Sequence, residues 1–259
     1  MGQLTDLELA VRAARAAGAL LVERFGGPAV GVGRKSSATD MVSDADRQAE
    51  AAIVELIQRE RPEDGIVGEE GAAASSSSGR RWVIDPLDGT TNYLYGFPMW
   101  AVSVAVEDEA GSVAGVVLDP VRHELFGAER GSGATLNGVA MGVREGTPLE
   151  RSLVATGFSY DARRRTEQAR VLERVIPHVR DVRRGGAAAL DLAWVASGRL
   201  DGYYERGLQP WDWAAGRLLV TEAGGAVAEL TGEPPGLVAG AAELAAGLLG
   251  LLDEDPHGV

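Results

Sequence analysis

The sequence predicts a mixed α/β (α+β) protein in two halves, the first built on an antiparallel sheet with helices and the second on strands alternating with helices. Three observations predict this. Apolar residues recur at helical spacing near the amino terminus, strand-like runs follow one another through residues 100–136, and beyond about Pro148 strand-like and helix-like segments alternate. The division falls between an amino-terminal α+β half, residues 1–147, and a carboxy-terminal α/β half, residues 148–259. No repeat or linker composition marks it, so it reads as a seam between layers of one body.

The elements follow in order. Leu7, Val11, Ala14, Leu21 and Phe25 share one helical face, with Thr5 as cap, Glu8 three residues on and Gly26-Gly27-Pro28 as the stop. A second helix starts at Ser43-Asp44 and runs through Ala49, Ile53, Leu56 and Ile57 to Pro62, which leaves residues 30–42 as a mobile connector. Ile66-Val67 and Trp82-Val83-Ile84 read as buried strands, and residues 72–79 between them as a solvated small-residue loop. Residues 100–106, 113–118, 124–128 and 134–136 form a strand meander. In the second half, strands are expected at 153–156, 200–204 and 227–230. Helices are expected around 166–176 and over 187–196 and 212–223.

Composition excludes much chemistry. The 259 residues carry 25 Lys+Arg against 38 Asp+Glu, a formal charge of −13, with no cysteine and three histidines. Without cysteine there is no thiolate nucleophile, disulfide, iron–sulfur cluster or Cys-based zinc site, so catalysis falls to oxygen groups. The acidic balance opposes nucleic-acid and anionic-membrane partners and favours a metal cation. The amino terminus has no signal-peptide pattern, and the best apolar run, 241–252, is too short to span a bilayer and contains Glu243, so the expected location is cytoplasmic. His123 and His178 have no partner at ligand spacing and read as structural, and His257 lies at the chain end. Trp82, Trp194, Trp211 and Trp213 read as packing residues.

The segment Arg81-Trp82-Val83-Ile84-Asp85-Pro86-Leu87-Asp88-Gly89-Thr90-Thr91-Asn92 carries the most information. A buried strand runs into two carboxylates, which repel each other unless a cation lies between them. Oxygen ligands suit Mg²⁺, with Mn²⁺ as a substitute, and Gly89-Thr90-Thr91 can open a helix whose free N–H groups bind an anion beside the metal. Taken alone, the pattern is equally an Asp-Gly turn with a capping threonine. Three further acidic clusters weigh against that: Gly68-Glu69-Glu70-Gly71 after a strand, Asp212 in the first turn after Pro210, and Asp40, Asp44 and Asp46 around the start of the second helix.

With Lys35–Asp46, Gly186–Ala189 and Thr221–Gly225, these motifs resemble the inositol monophosphatase family of Mg²⁺-dependent, Li⁺-sensitive phosphatases over nearly the whole chain. The resemblance implies the layered α-β-α-β-α sandwich of the inositol monophosphatase and fructose-1,6-bisphosphatase type, commonly a homodimer. It implies two to three Mg²⁺ ions. Glu69, Asp85 and the Leu87 carbonyl would hold the first, Asp85, Asp88 and Asp212 the second, with a weaker third ion near Glu69. Asp46 and Thr90 resemble the pair that activates the attacking water. Asp88, Gly89, Thr90, Thr91, Gly186, Ala187, Ala188, Glu205 and Asp212 match the substrate-binding positions, and Lys35 matches a basic residue on a mobile loop. Ala187 stands where the family carries Ser or Thr, so one pocket hydrogen bond is missing.

The expected activity is hydrolysis of a small polyol phosphate, myo-inositol 1-phosphate first, by metal-activated water. Histidinol phosphate, fructose 1,6-bisphosphate and 3′-phosphoadenosine 5′-phosphate are the substrates of relatives, and Arg183, Arg184 and Arg206 are candidate cations for a bisphosphate. From another class, some bacterial relatives bind transcription machinery independently of hydrolysis. A metal-stabilised structural domain is the third reading.

Overall fold

The computed structural model describes residues 4–27, 31–34 and 41–253. Lys35, Asp40 and His257 therefore lie outside the described residues. Helix α1 (Asp6–Arg24) opens on a reciprocal cap in which Glu8 N–H donates to Thr5 Oγ1 at 3.1 Å and Thr5 N–H donates to Glu8 Oε2 at 2.8 Å. Helix α2 (Asp44–Glu60) starts at the cap Ser43 and ends before Pro62, as the sequence predicts.

The first half forms an eight-stranded sheet in the order β10-β9-β8-β7-β6-β5-β3-β4. Its strands are β3 (Gly65–Gly68), β4 (Ala73–Ala74), β5 (Arg81–Asp88), β6 (Ala101–Asp108), β7 (Gly111–Asp119), β8 (Glu124–Glu129), β9 (Ala134–Leu136) and β10 (Val139–Ala140). Only β3 and β5 pair in parallel; the meander through β6, β7, β8 and β9 is antiparallel. A separate two-residue pair, β1 (Gly33–Arg34) with β2 (Met41–Val42), lies in the expected connector.

The second half forms a five-stranded sheet in the order β12-β11-β13-β15-β14. It comprises β11 (Leu153–Thr156), β12 (Asp181–Arg183), β13 (Gly202–Arg206), β14 (Ala226–Leu230) and β15 (Gly236–Gly240), with β11 parallel to both β12 and β13. Between them run α4 (Ala162–Val175), α5 (Ala188–Ala196) and α6 (Pro210–Glu222), and α7 (Ala242–Asp253) closes the described chain.

Strand alternation decides the layering. On β5 and β6 the side chains of Trp82, Ile84, Val102, Val104 and Val106 enter a core shared with Leu9, Ala13, Leu21, Ile53 and Ile57 of α1 and α2. Their neighbours Val83, Ala101 and Ala105 enter a second core with Leu190 and Leu192 of α5 and with Leu218 and Leu219 of α6. Both faces are covered, which is why these strands read as continuous apolar runs. The second core continues through Tyr203, Leu237 and Ala239 of the five-stranded sheet, whose other face packs Tyr204 and Val238 against Val175 of α4 and Leu244 and Leu248 of α7. The result is the α-β-α-β-α order expected.

Several elements differ from expectation. The run at 241–252, which carries no helical signal in the sequence, lies in α7 from Ala242 onward, and Leu244, Leu248 and Leu252 bury one face of that helix against the second sheet. Strand β12 has the polar sequence Asp-Val-Arg on a sheet edge, where alternation gives no signal. The loop at 72–79 contains β4 and is pinned by Ser77 and Ser78 N–H groups donating to the Glu63 carbonyl. His123 sits in the turn joining β7 to β8 with a left-handed φ of 56°, in keeping with a structural role. The guanidiniums of Arg122 and Arg199 each lie 5.2 Å from the centre of the Trp194 ring. No helix of the described residues is long and apolar enough to cross a membrane.

Candidate active site

The site lies where the carboxyl ends of β3 and β5 face those of β11 and β13. A cavity of about 510 Å³ is lined there by Glu69, Asp85, Leu87, Asp88, Gly89, Thr90, Gly186, Ala187, Ala188, Glu205 and Asp212. Of the expected site residues, Asp46 stands behind Thr90, and Thr91 is absent from the wall, its hydroxyl buried without a hydrogen bond.

The end of β5 shows how the sequence brings two acids together. Residues three apart on a regular strand point to opposite faces. Asp85 pairs with Ser103 but Asp88 pairs with Ala101, so β5 carries one extra residue here, at Pro86-Leu87, and bulges. Asp85 and Asp88 thereby reach one cavity. Asp85 Oδ1 accepts the Leu87 N–H at 3.0 Å. The next residue, Gly89, has φ 92° and its missing Cβ would stand 3.0 Å from the Met99 carbonyl, so only glycine turns the chain into the short helix α3 (Thr90–Leu94).

Helix starts supply the rest. Asp88 accepts the N–H groups of Ala188 and Ala189 at 3.1 and 2.7 Å, which ties β5 to the first turn of α5. Asp212 lies in the first turn of α6 and accepts the Gln209 N–H at 2.6 Å. Asp46 in α2 accepts the Ser43 N–H at 2.9 Å and the Ser43 hydroxyl, and faces the Thr90 hydroxyl at 3.1 Å. That hydroxyl is also 3.1 Å from the Leu87 carbonyl. On the opposite wall, Tyr203 donates to Glu205 Oε2 at 2.6 Å. A Cβ at Gly157 would stand 1.9 Å from that oxygen, so glycine leaves room for the carboxyl.

The electrostatics are dominated by buried acids, with Arg184 drawing Glu205 down only in small part. Burial is the largest cause at each of them. It holds Asp85 well above the usual carboxylate range, reinforced by Glu69, Asp88 and Asp212, and does the same to Asp212, reinforced by Asp88. Asp88 is pushed up to about 7 by burial against the pull of the Ala189 N–H, and Glu205 to about 7 against the pull of Tyr203. Asp46 is also raised by burial, opposed by its Ser43 hydrogen bonds.

Among the described residues no three acids are gathered into a finished coordination shell. Glu69, Asp85, Asp88 and Asp212 stand around one cavity. The carboxylates of Glu69, Asp85, Asp88 and Asp212 and the Leu87 carbonyl, all hard oxygen donors on one cavity, fit Mg²⁺ or Mn²⁺ and suit no soft metal.

Other features were not read from the sequence. Glu50, one helical turn after Asp46 on the same face of α2, accepts the N–H groups of Glu70 and Ala72 at 2.9 and 3.0 Å and clamps the turn that carries Glu69. The i, i+4 spacing was the available signal. Glu50→Ala is expected to raise the Mg²⁺ concentration for half-saturation by about tenfold, with partial recovery in Glu50→Gln, measured by calorimetric titration. Arg184 and Arg206 line the cavity as candidate cations, joined by Arg164 of α4, whereas Arg183 points elsewhere. Trp211, expected only to pack, also forms part of the wall.

Fold and site together define a chain of the inositol monophosphatase family, whose sequence profile matches residues 3–255. The chain is 43% identical over 228 residues to the Nus factor SuhB of Escherichia coli K12, covering 87% of this chain and 85% of that protein. Among solved structures, the extragenic suppressor protein suhB of Bartonella henselae superposes with a TM-score of 0.89 at 41% identity, over 97% of this chain and 98% of that one. The IMPase of Thermotoga maritima gives a TM-score of 0.87 at 32% identity, covering 96% of each chain.

Proposed function

We propose that the chain is a Mg²⁺-dependent phosphomonoesterase acting on a small polyol phosphate, with myo-inositol 1-phosphate as the first substrate. The observation that carries this reading is the buried carboxylate cluster facing Glu205 across one cavity, with the Asp46–Thr90 pair at its edge. Family membership and the IMPase neighbour support it.

Glu69, Asp85, Asp88, Asp212 and the Leu87 carbonyl would hold the ions. Bound there, Mg²⁺ supplies charge for the phosphate oxygens and makes water a nucleophile at neutral pH. The chain's own groups do the rest. The Thr90 hydroxyl orients the incoming water and passes its proton toward Asp46, a carboxylate raised by burial and hence a better acceptor near neutrality. The N–H groups at the start of α5 fix Asp88, and the dipole of that helix favours negative charge in the cavity. Glu205, held on one oxygen by Tyr203, keeps the other to accept a polyol hydroxyl. Ala187 offers no hydroxyl of its own, so one pocket hydrogen bond is missing beside Glu205.

Thr90→Ala is expected to lower kcat by about 10²- to 10⁴-fold while KM for inositol 1-phosphate stays within about twofold, because its hydroxyl acts on the proton rather than on the polyol. Steady-state phosphate release checks it. Substrate choice is tested by release from inositol 1-phosphate, histidinol phosphate, fructose 1,6-bisphosphate and 3′-phosphoadenosine 5′-phosphate. Fastest turnover of inositol 1-phosphate supports the reading, and a faster bisphosphate would move the assignment toward the arginine-lined end of the cavity.

A second reading, binding of transcription machinery, is favoured by the name Nus factor carried by the Escherichia coli relative. It predicts a pull-down of such a partner that survives Asp85→Asn. Association as a homodimer belongs to the same proposal and is read from the mass in solution.

A further inference from the structure

A second groove, of about 490 Å³, opens at the amino ends of the strands whose carboxyl ends form the catalytic cavity. Leu153 at the start of β11 and Asp201 before β13 line it, whereas Gly157 and Glu205 at the far ends of those strands line the cavity. The groove shares no residue with the cavity. Four arginines face it, Arg144, Arg151, Arg180 and Arg183, with Asp181 and Asp201. That is an excess of two positive charges in a chain whose formal charge is −13.

The guanidiniums are anchored in ways that leave donors free. Arg144 donates through Nη2 to the Gly198 carbonyl at 2.7 Å, with its Nε 3.7 Å from Asp201 Oδ1. Arg180 spends Nε on the Arg151 carbonyl at 3.2 Å, and Arg183 spends Nη1 on Asp181 Oδ2 at 2.6 Å and on the Val182 carbonyl at 3.0 Å. The Arg151 guanidinium makes no hydrogen bond among the described residues. Asp201 is 3% exposed and its Oδ2 accepts the Leu153 N–H, so its Oδ1 backs Arg144 from inside the protein. A guanidinium has five N–H donors, and every one of these keeps donors unspent on the chain.

Like charges lining one groove stay together at lowest cost with an anion among them, and planar forks bind phosphate oxygens in pairs. The geometry points to a second, non-catalytic anion site in this groove, for a small phosphate compound carrying two or more adjacent negative charges. Its size suits a diphosphate or nucleotide diphosphate. It is independent of the proposed hydrolysis, because none of its residues belongs to the catalytic cavity.

The test is calorimetric titration of the full chain with inorganic pyrophosphate in the presence of chelator, so that no metal recruits the anion to the catalytic cavity. Wild type is expected to bind one equivalent. The Arg151→Ala/Arg180→Ala double variant should bind at least tenfold more weakly, Arg151→Lys/Arg180→Lys in between, and the melting temperatures should agree because both side chains are exposed. Affinity should fall as salt is raised. Unchanged binding in the double alanine variant would overturn the proposal, as would loss of binding on Arg206→Ala instead, which would place the anion in the cavity. Binding of a ten-nucleotide RNA by a chain that ignores pyrophosphate would likewise overturn it in favour of a nucleic-acid surface.

Discussion

Between about pH 5 and pH 8 the metal-free protein is expected to lose stability steadily, and Mg²⁺ is expected to restore it. Asp88 and Glu205 are pushed up to about 7, and Asp85 and Asp212 lie well above the usual range. In the unfolded chain these groups titrate near 4. Between the two values the native state holds more protons than the unfolded state, so stability is fully present below about pH 4 and lost as pH rises through about 7. The loss is of the order of a few kcal/mol. A cation among the carboxylates replaces those protons and removes the penalty, at the cost of proton release on binding. Thermal melting from pH 5 to pH 8, with chelator and with Mg²⁺, checks this. A metal-free melting temperature that climbs across that window would contradict it.

Asp85→Asn is expected to separate activity from stability. The carboxylate is buried, and the amide is close to its shape while carrying no charge. Mg²⁺-dependent turnover should fall by about 10³-fold or more if Asp85 holds the ion as proposed. The metal-free melting temperature at pH 8 should rise, because one member of a mutually repelling cluster is neutral. The two readouts move in opposite directions, which a simple folding defect cannot produce. Equal loss of activity and stability would mean that Asp85 serves the fold alone.

Much of this arrangement was legible in the residues. The Thr5–Glu8 cap, the Ser43 start and the apolar runs of β5 and β6 are local signals, and each element formed where its signal lay. The acids were legible as well, since carboxylates at strand ends and helix starts stand out against apolar neighbours. What stayed hidden depended on long-range contact. Nothing near Asp88 in sequence announces that Ala188 and Ala189 donate to it, and the bulge that unites Asp85 with Asp88 is visible only in the pairing with β6. Edge strand β12 and helix α7 were hidden for the opposite reasons, one too polar to alternate and the other so apolar that only its burial against the second sheet gave it a face.

Whether the carboxylate cavity is a Mg²⁺-dependent centre for phosphate-ester hydrolysis is tested by phosphate release from myo-inositol 1-phosphate by the purified chain, measured with Mg²⁺ and with chelator. Release is expected to saturate with Mg²⁺ and to vanish in chelator. Release that persists in chelator, or none from protein shown by calorimetry to be saturated with Mg²⁺, would contradict it.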